Sequence, residues 1–411
     1  MTKFISNKLC IQIGESTDIG GSRENQDTSF VLQINDIYII GAIDGHGKEY
    51  GKIAAEEVQL CLINYFTENY EQLLDDPFRC LKNAYELANN RIKEKFITEL
   101  KDQGFFTKEE DGILLKRRSP IQNWKSVHGG ATCSIILLIG TKLYIANVGD
   151  STAMLCTKDP ILSQSMIQYL GDAALDIENQ KSTENQKSTE NQEITEDQEY
   201  KNFIILTLDH SPESLNEFNR LHKFRPSEDD PRFPALCLIY DKNNNPCFEF
   251  NGEEKLCITE KGAYHKNVRK EWATVVTTPQ NARFQDGLAM TRSLGDFPLK
   301  SFGVSHLPEI QVFDLINLLN TNLFEKPNNL IACLCLCSDG IWDNWQYSDV
   351  VNFVLDPSCI EAINTSADGA QQAALSFIQR NDIYSKRNFG SQRDNATGIL
   401  MYISKQEITD V

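Results

Sequence analysis

One chemical arrangement recurs along this chain: an aspartate beside glycine or a small polar residue, at or next to the end of an apolar run. Asp44 stands in Ile43-Asp44-Gly45-His46-Gly47, Asp150 in Val148-Gly149-Asp150-Ser151, Asp339 in Ser338-Asp339-Gly340 and Asp394 in Arg393-Asp394-Asn395. Asp27, in Asn25-Gln26-Asp27, precedes another short strand. A strand end is a rigid mount and glycine lets backbone approach a ligand closely, so several such ends can meet at one site. Carboxylates gathered in a partly desolvated cleft repel one another, and the natural remedy is a hard divalent cation with oxygen ligands. Any one of these aspartates alone reads as a turn cap. Their repetition in one context is what points to a shared site.

The elements that must position them are legible from composition and period. Ile37 to Ile43, Ala131 to Ile139, Leu143 to Val148, Ala153 to Cys156, Phe203 to Leu208, Ile331 to Cys337 and Ala396 to Ile403 are rich in Ile, Val, Leu and Tyr and read as strands. Lys52 to Tyr65 reads as a helix, and Phe78 to Leu100 as another whose Leu81, Tyr85, Ala88, Ile92 and Phe96 share one face. Ser211-Pro212-Glu213-Ser214 predicts a helix capped by Ser211 and running to about Leu221, and a last helix is expected near Ala370 to Arg380. Strands, two helices, many strands, helix, strand is an α+β order with mostly antiparallel sheets, which disfavours a Rossmann-type fold.

The 411 residues carry 40 basic and 58 acidic side chains, a formal charge of −18, and no basic track is evident, which argues against nucleic acid or an anionic membrane as partner. The longest apolar stretches, Ser134 to Gly140 and Ile331 to Cys337, fall far short of the ~20 residues of a membrane helix. The start shows no apolar signal core, so the expectation is a soluble cytoplasmic chain, with access to the nucleus. Twelve scattered cysteines with no Cys-x-x-Cys pair do not make a disulfide scaffold. Cys333, Cys335 and Cys337 alternate with leucines; a soft-metal face is conceivable, but a strand apolar on both faces is the better reading.

Glu178 to Thr183 is repeated from Glu184, and the segment from Asp172 to Glu199 holds nine acidic residues against two lysines, a net of −7 that leaves −11 for the rest. Such sequence cannot bury enough apolar area to offset its ordering entropy, so residues 158–200 read as an acidic low-complexity insert. Phe224 to Gln280 holds Pro226, Pro231, Pro234, Pro246 and the run Asp241-Lys242-Asn243-Asn244-Asn245, and reads as loops and short strands forming a small lid.

With these residues in hand, the sequence resembles a family. Arg23 to Asp27, Asp44 to Gly47, Gly129-Gly130-Ala131-Thr132, Asn147 to Ser151, Leu208 to Pro212, Leu288 to Asp296, Cys337 to Asp343 and Gly390 to Thr397 look like the ordered motif series of the metal-dependent type 2C protein serine/threonine phosphatases. The resemblance implies a four-layer α-β-β-α sandwich, two antiparallel sheets flanked by helix pairs. It implies one catalytic domain over 9–404, with the 158–200 insert and an enlarged lid at 224–285. It also implies two Mn²⁺ or Mg²⁺ ions per chain: Asp44 bridging them, the Gly45 carbonyl on one, Asp339 and Asp394 on the other, and Asp27 in the same shell through water. Asp150 and Asp343, with Asp339, match a weaker third site. By the same resemblance His46 is the general acid, Arg23 the phosphate clamp, and the reaction is hydrolysis of phosphoserine or phosphothreonine in protein substrates by metal-bound hydroxide, without a phospho-enzyme, by a monomer. Two departures stand out. Gln26, a neutral and poorer ligand, replaces a glutamate common in the family, and Arg23 lies one residue nearer its aspartate than in many members.

Rival readings fare worse. No cysteine is followed six residues later by arginine, as a cysteine-based phosphatase needs, and six dispersed histidines do not furnish a di-zinc or iron–zinc centre. A metal-dependent phosphodiesterase acting on nucleic acid conflicts with the charge. The remaining alternative is a catalytically inactive regulatory member of the same fold, against which stands the physical cost of keeping Asp44, Asp339 and Asp394 together for no purpose.

Overall fold

The computed structural model describes residues 9–162, 200–223, 236–252, 255–315 and 330–405. Three strands open the chain, β1 (Leu9–Asp18), β2 (Asp27–Ile34) and β3 (Ile37–His46), followed by α1 (Gly51–Glu68), α2 (Tyr70–Asp75) and α3 (Pro77–Asp102). Next come β4 (Phe106–Glu110), β5 (Ile113–Arg117), β6 (Lys125–Ser126), β7 (Gly130–Ala131), β8 (Cys133–Ile139), β9 (Lys142–Val148), β10 (Thr152–Leu162), β11 (Tyr200–Ile205) and α4 (Leu215–Lys223). Short strands follow: β12 (Cys237–Tyr240), β13 (Phe248–Phe250), β14 (Leu256–Ile258), β15 (Thr274–Thr277), β16 (Gly287–Leu288) and β17 (Leu294–Gly295). The last stretch holds α5 (Phe297–Lys300), β18 (Glu309–Asp314), β19 (Leu330–Cys337), α6 (Asp339–Trp342), α7 (Tyr347–Val354), α8 (Pro357–Thr365), α9 (Gly369–Phe389) and β20 (Ala396–Lys405).

Two antiparallel sheets form the body. One runs β17-β7-β3-β8-β9-β18 with β2 added beside β3, the other β1-β20-β19-β10-β11. Ile40, Ile136 and Ile145 of the first sheet meet Leu155, Leu334, Leu336 and Met401 of the second in the layer between them. A second apolar layer sets the first sheet against α1 and α3, and a third sets the second sheet against α7 and α9. These three layers are the four-tiered α-β-β-α sandwich the motif series implied.

Several local expectations are met for identifiable reasons. The five residues read as the buried face of α3 are all buried, and the Tyr85 hydroxyl reaches the carbonyls of Cys133 (3.1 Å) and Ala146 (2.9 Å), pinning the helix to the sheet. Asp76 caps that helix by accepting from the Arg79 amide at 3.0 Å, with Pro77 at its first position. Cys333, Cys335 and Cys337 face α7 and α9 while Leu334 and Leu336 face the other sheet, so the strand is apolar on both sides.

Other expectations need correction. The helix expected from Ser211 begins at Leu215: Ser211 closes a turn by accepting from the Ser214 amide (3.0 Å), and Ser214 Oγ, accepting from the Glu217 amide at 3.4 Å, stands nearest to a cap. Residues 158–162 and 200, assigned to the acidic insert, belong to the neighbouring strands β10 and β11; the repeat itself, within 163–199, lies outside the described residues. The last helix extends to Phe389, and α7 and α8 were not anticipated. In the lid, β12, β15 and β16 make one small sheet and β13–β14 another, while 224–235 and 253–254 lie outside the described residues. Among the described residues no helix is long and apolar enough to cross a membrane.

Candidate active site

The strand register places Asp27 directly opposite Asp44, in the antiparallel pair β2–β3. Like charges directly across a ladder destabilise it, so this pairing serves something other than the sheet. Asp27 is buried; its Oδ2 accepts from Ser338 Oγ at 2.7 Å, and its Oδ1 is buried with no hydrogen-bond partner among the described residues. Burial pushes Asp27 up to about 6, against the hydrogen bonds from Ser338 and Thr397. Asp44 is raised well above the usual carboxylate range, first by burial and then by Asp27, Asp339, Asp394 and Asp150. Asp339 is raised in the same way, by burial and then by Asp150, Asp394, Asp343 and Asp27. The aspartates that sequence spacing scattered over more than 350 positions thus share one electrostatic field.

Backbone packing holds the cluster. A Cβ on Gly45 would meet the carbonyl oxygens of Gly51 (2.4 Å) and Gln26 (2.7 Å), so only glycine lets β3, β2 and the start of α1 close here. Gly47 has φ +102° and its missing Cβ would lie 2.7 Å from Gly129 Cα. Asn395 ties its own loop to the β1–β2 connection at three points: its Oδ1 accepts from the Gln26 amide (2.8 Å), and its Nδ2 donates to the carbonyls of Ile19 (2.8 Å) and Glu24 (3.3 Å). The Gln26 side chain donates to the Gly47 carbonyl at 3.2 Å. Arg23 lies exposed on the β1–β2 turn, without an ion pair among the described residues.

His46 Nε2 lies 2.6 Å from Asp296 Oδ2, and its Nδ1 is buried without a partner among the described residues. Burial disfavours the imidazolium, but the charge and hydrogen bond of Asp296 prevail and raise the His46 pKa; burial likewise opposes ionisation of Asp296, which His46 overrides to lower it. Asp296 adopts φ +45°, rare for a residue with a side chain, and its amide donates to the Gly129 carbonyl at 3.0 Å. The sequence reading had Asp296 in hand, at the end of the Leu288 to Asp296 motif, but gave it no role.

Two further residues shape the field: Lys266, which no motif marks, and His210, which stands in the Leu208 to Pro212 motif without an assigned role. Lys266, in the lid, is held protonated against its burial by Asp209, Asp150 and Asp343. Asp343 itself is pushed up to about 7 by burial, with Lys266 and Arg269 opposing. No local signal marks Lys266, since only the folded lid carries it to the sandwich. His210 accepts from the Gly149 amide at 3.0 Å through Nδ1 and so fixes the turn that presents Asp150; burial keeps it neutral by lowering its pKa.

The donors fit a hard divalent cation: all are carboxylate or carbonyl oxygens, and Asp27 Oδ1 and Asp150 Oδ1 are buried and unpartnered. Among the described residues no three His, Cys, Asp or Glu side chains form a ready-made cage, so water and backbone carbonyls would have to complete the coordination.

Comparison with known proteins places the chain. The sequence model of the family described as "Protein phosphatase 2C" matches residues 79–230 and 268–375, more than half of the chain, so the chain belongs to the protein phosphatase 2C family. Those ranges contain Asp150, His210, Asp296, Asp339 and Asp343; Asp27, Asp44, His46 and Asp394 lie outside them and join the site through β2, β3 and β20. It is similar to protein phosphatase 1L of Bos taurus, 27% identical over 319 residues that cover 77% of this chain and 55% of the relative. It is also similar to a probable protein phosphatase 2C 52 of Arabidopsis thaliana, 24% identical over 354 residues, 82% of this chain and 56% of the relative. The chain thus spans about half the length of the curated relatives it matches. In fold it resembles a serine-threonine phosphatase 2C from Toxoplasma gondii, with TM-score 0.51, 16% identity, and coverage of 95% of this chain and 94% of the other. A C. elegans sex determining protein is similar too, with TM-score 0.52, 14% identity, and coverage of 95% and 64%.

Proposed function

We propose that this chain is a metal-dependent protein phosphatase that hydrolyses phosphoserine and phosphothreonine in protein substrates. The observation that carries the reading is the Asp27–Asp44 pair facing across β2 and β3, joined electrostatically by Asp339, Asp394 and Asp150. A fold gains nothing from such repulsion unless a cation relieves it. Asp44, Gly45 through its carbonyl, Asp339 and Asp394 would hold two Mn²⁺ or Mg²⁺ ions, with Asp27 reaching them through water. When bound, the ions would neutralise the carboxylates and supply Lewis-acid activation of the phosphate ester and the attacking water. Asp150 and Asp343 would make a weaker third site, because Lys266 already places a positive charge beside them.

The chain's own groups do the rest. Asp296 holds the His46 ring through Nε2, which leaves Nδ1 to carry the proton toward a leaving serine or threonine oxygen. Ser338 orients Asp27, and its Oγ accepts from the Thr397 amide at 2.9 Å, so the carboxylate is fixed to the second sheet. Arg23, exposed and without an ion pair among the described residues, is free to reach a phosphate at the rim. That β1, starting at Leu9, pairs along its length with β20, ending at Lys405, supports reading 9–404 as one catalytic unit.

The test is hydrolysis of p-nitrophenyl phosphate and a phosphothreonine peptide with Mn²⁺ or Mg²⁺ against chelator. Activity that requires the metal and is lost in Asp44→Asn and Asp339→Asn is expected. Activity surviving in chelator or in both variants would sink the proposal, and a folded, metal-loaded but inactive wild type would favour the regulatory reading.

A further inference from the structure

The sequence shows no basic track, yet the fold builds one. Beside the Asp44–Gly47 loop lie two adjoining cavities, of about 490 Å³ and about 750 Å³, which share Glu49, Lys116 and Lys125 in their walls. Together they gather six cations, Lys48, Lys116, Arg117, Arg118, Lys125 and Arg283, with Glu49 the one carboxylate in either lining. In a chain of net charge −18 this concentration is far from the average composition. Nearby carboxylates offset part of it: Glu49 pairs with Lys116, Glu110 with Arg283 (2.5 Å), and Asp286 with His128 (2.8 Å). Lys48, Arg118 and Lys125 have no ion pair among the described residues, and all three are exposed.

Three of the cations, Lys116, Arg117 and Arg118, are held against aromatic rings. The Arg117 guanidinium lies 4.2 Å from the centre of the Trp124 ring, Arg118 lies 4.6 Å from that of Phe105, and Lys116 lies 4.8 Å from that of Tyr50. Cation–π contact with aromatic walls lowers the conformational entropy still to be lost when a ligand binds. The groove also begins at the reaction site. Lys48 is two residues from His46, and His128 is two residues from Gly130, which pairs with His46 in the β3–β7 ladder.

We infer that this groove binds a stretch of polypeptide dense in negative charge, flanking the phosphorylated residue of the substrate, and so selects acidic or multiply phosphorylated sites. The inference rests on the phosphatase reading above and names the substrate class for it. Its physical content is charge complementarity over several residues: each exposed pair contributes little alone, while several together favour encounter and raise affinity in a salt-dependent way.

Three phosphothreonine peptides of equal length test it, with flanks that are neutral, rich in Asp and Glu, or phosphorylated at serine. The readout is the ratio of kcat/KM for each charged peptide to that for the neutral one, in which any general loss of activity cancels. In wild type both ratios exceed one and fall as salt is raised. In Arg118→Glu/Lys125→Glu they are expected to fall roughly tenfold, mainly through KM. The arm that falls further identifies carboxylate or phosphate as the favoured source of charge. Ratios unchanged by the double substitution overturn the proposal. So does binding of single-stranded DNA or of phosphatidylserine vesicles that is lost in the double variant while the peptide ratios stay put. If no substrate is hydrolysed, the phosphatase reading fails on its own. Fluorescence anisotropy of the same labelled peptides then still decides the groove, by whether charged peptides bind wild type more tightly than the double variant.

Discussion

The carboxylate cluster and the basic groove meet at one loop, Asp44 to Tyr50, and are built on opposite principles. In the cluster, like charges are placed where water is scarce, with Asp27 facing Asp44 across a ladder and two carboxylate oxygens left without partners. In the groove, like charges sit at the surface over aromatic rings, where solvent and cation–π contacts make them nearly costless. The first arrangement stores instability that a bound cation would release. The second stores none and acts only when an anionic partner arrives. Changes in the cluster should therefore move activity and stability in opposite directions, and changes in the groove should leave stability and the hydrolysis of neutral substrates unmoved.

The largest expected effect breaks the cluster. Asp44→Asn should reduce Mn²⁺-dependent hydrolysis by about a thousandfold or more, yet raise the melting temperature of the metal-free protein at pH 7.5, because it removes the charge that four other aspartates oppose. A lower melting temperature would contradict the stored repulsion. Next, Asp296→Asn should cost roughly a hundredfold on a phosphothreonine peptide and much less on p-nitrophenyl phosphate, whose leaving group hardly needs an acid. Equal losses would remove His46 from the acid role.

The pH dependence of the metal-free protein sharpens the same contrast. Asp27 and Asp343 titrate at about 6 and about 7 in the folded state, above the usual carboxylate value, so the native state binds more protons than the unfolded one between about pH 4 and 7. Their stabilising contribution is present below that window and is lost as pH rises through it. Thermal melts should show a higher melting temperature at pH 5 than at pH 7.5 in chelator, with the difference reduced or reversed by Mn²⁺. Gly45→Ala is expected to cost about 2–3 kcal/mol in urea denaturation, as the added methyl meets two carbonyl oxygens. The smallest effect belongs to the groove: Arg118→Ala/Lys125→Ala should leave the melting temperature within about 1 °C, since both side chains are exposed.

Much of the sandwich was legible because its signals are local. Alternating and continuous apolar runs marked β3, β8, β9, β19 and β20, and the spacing of Leu81, Tyr85, Ala88, Ile92 and Phe96 marked α3. The helix starts at Leu215 and not at Ser211 because the chain uses the Ser211-Pro212 capping signal for a turn instead. The helices α7 and α8 are only eight and nine residues long, and the lid strands are two to four residues long, too short for a period to register.

For the site, the sequence by itself determined the reactive types: aspartates beside glycines at strand ends, and a histidine two residues from one of them. Those are fixed by motif, because a rigid mount and a permissive backbone are properties of adjacent residues. What only the tertiary structure decided is which charges face one another. Asp296 reaches His46 from 250 positions away, Lys266 enters from the lid, and residues 48, 116–118, 125 and 283 converge into a basic groove that an overall charge of −18 conceals. Electrostatic energy depends on distance and local dielectric, and neither is a property of sequence separation or of net charge.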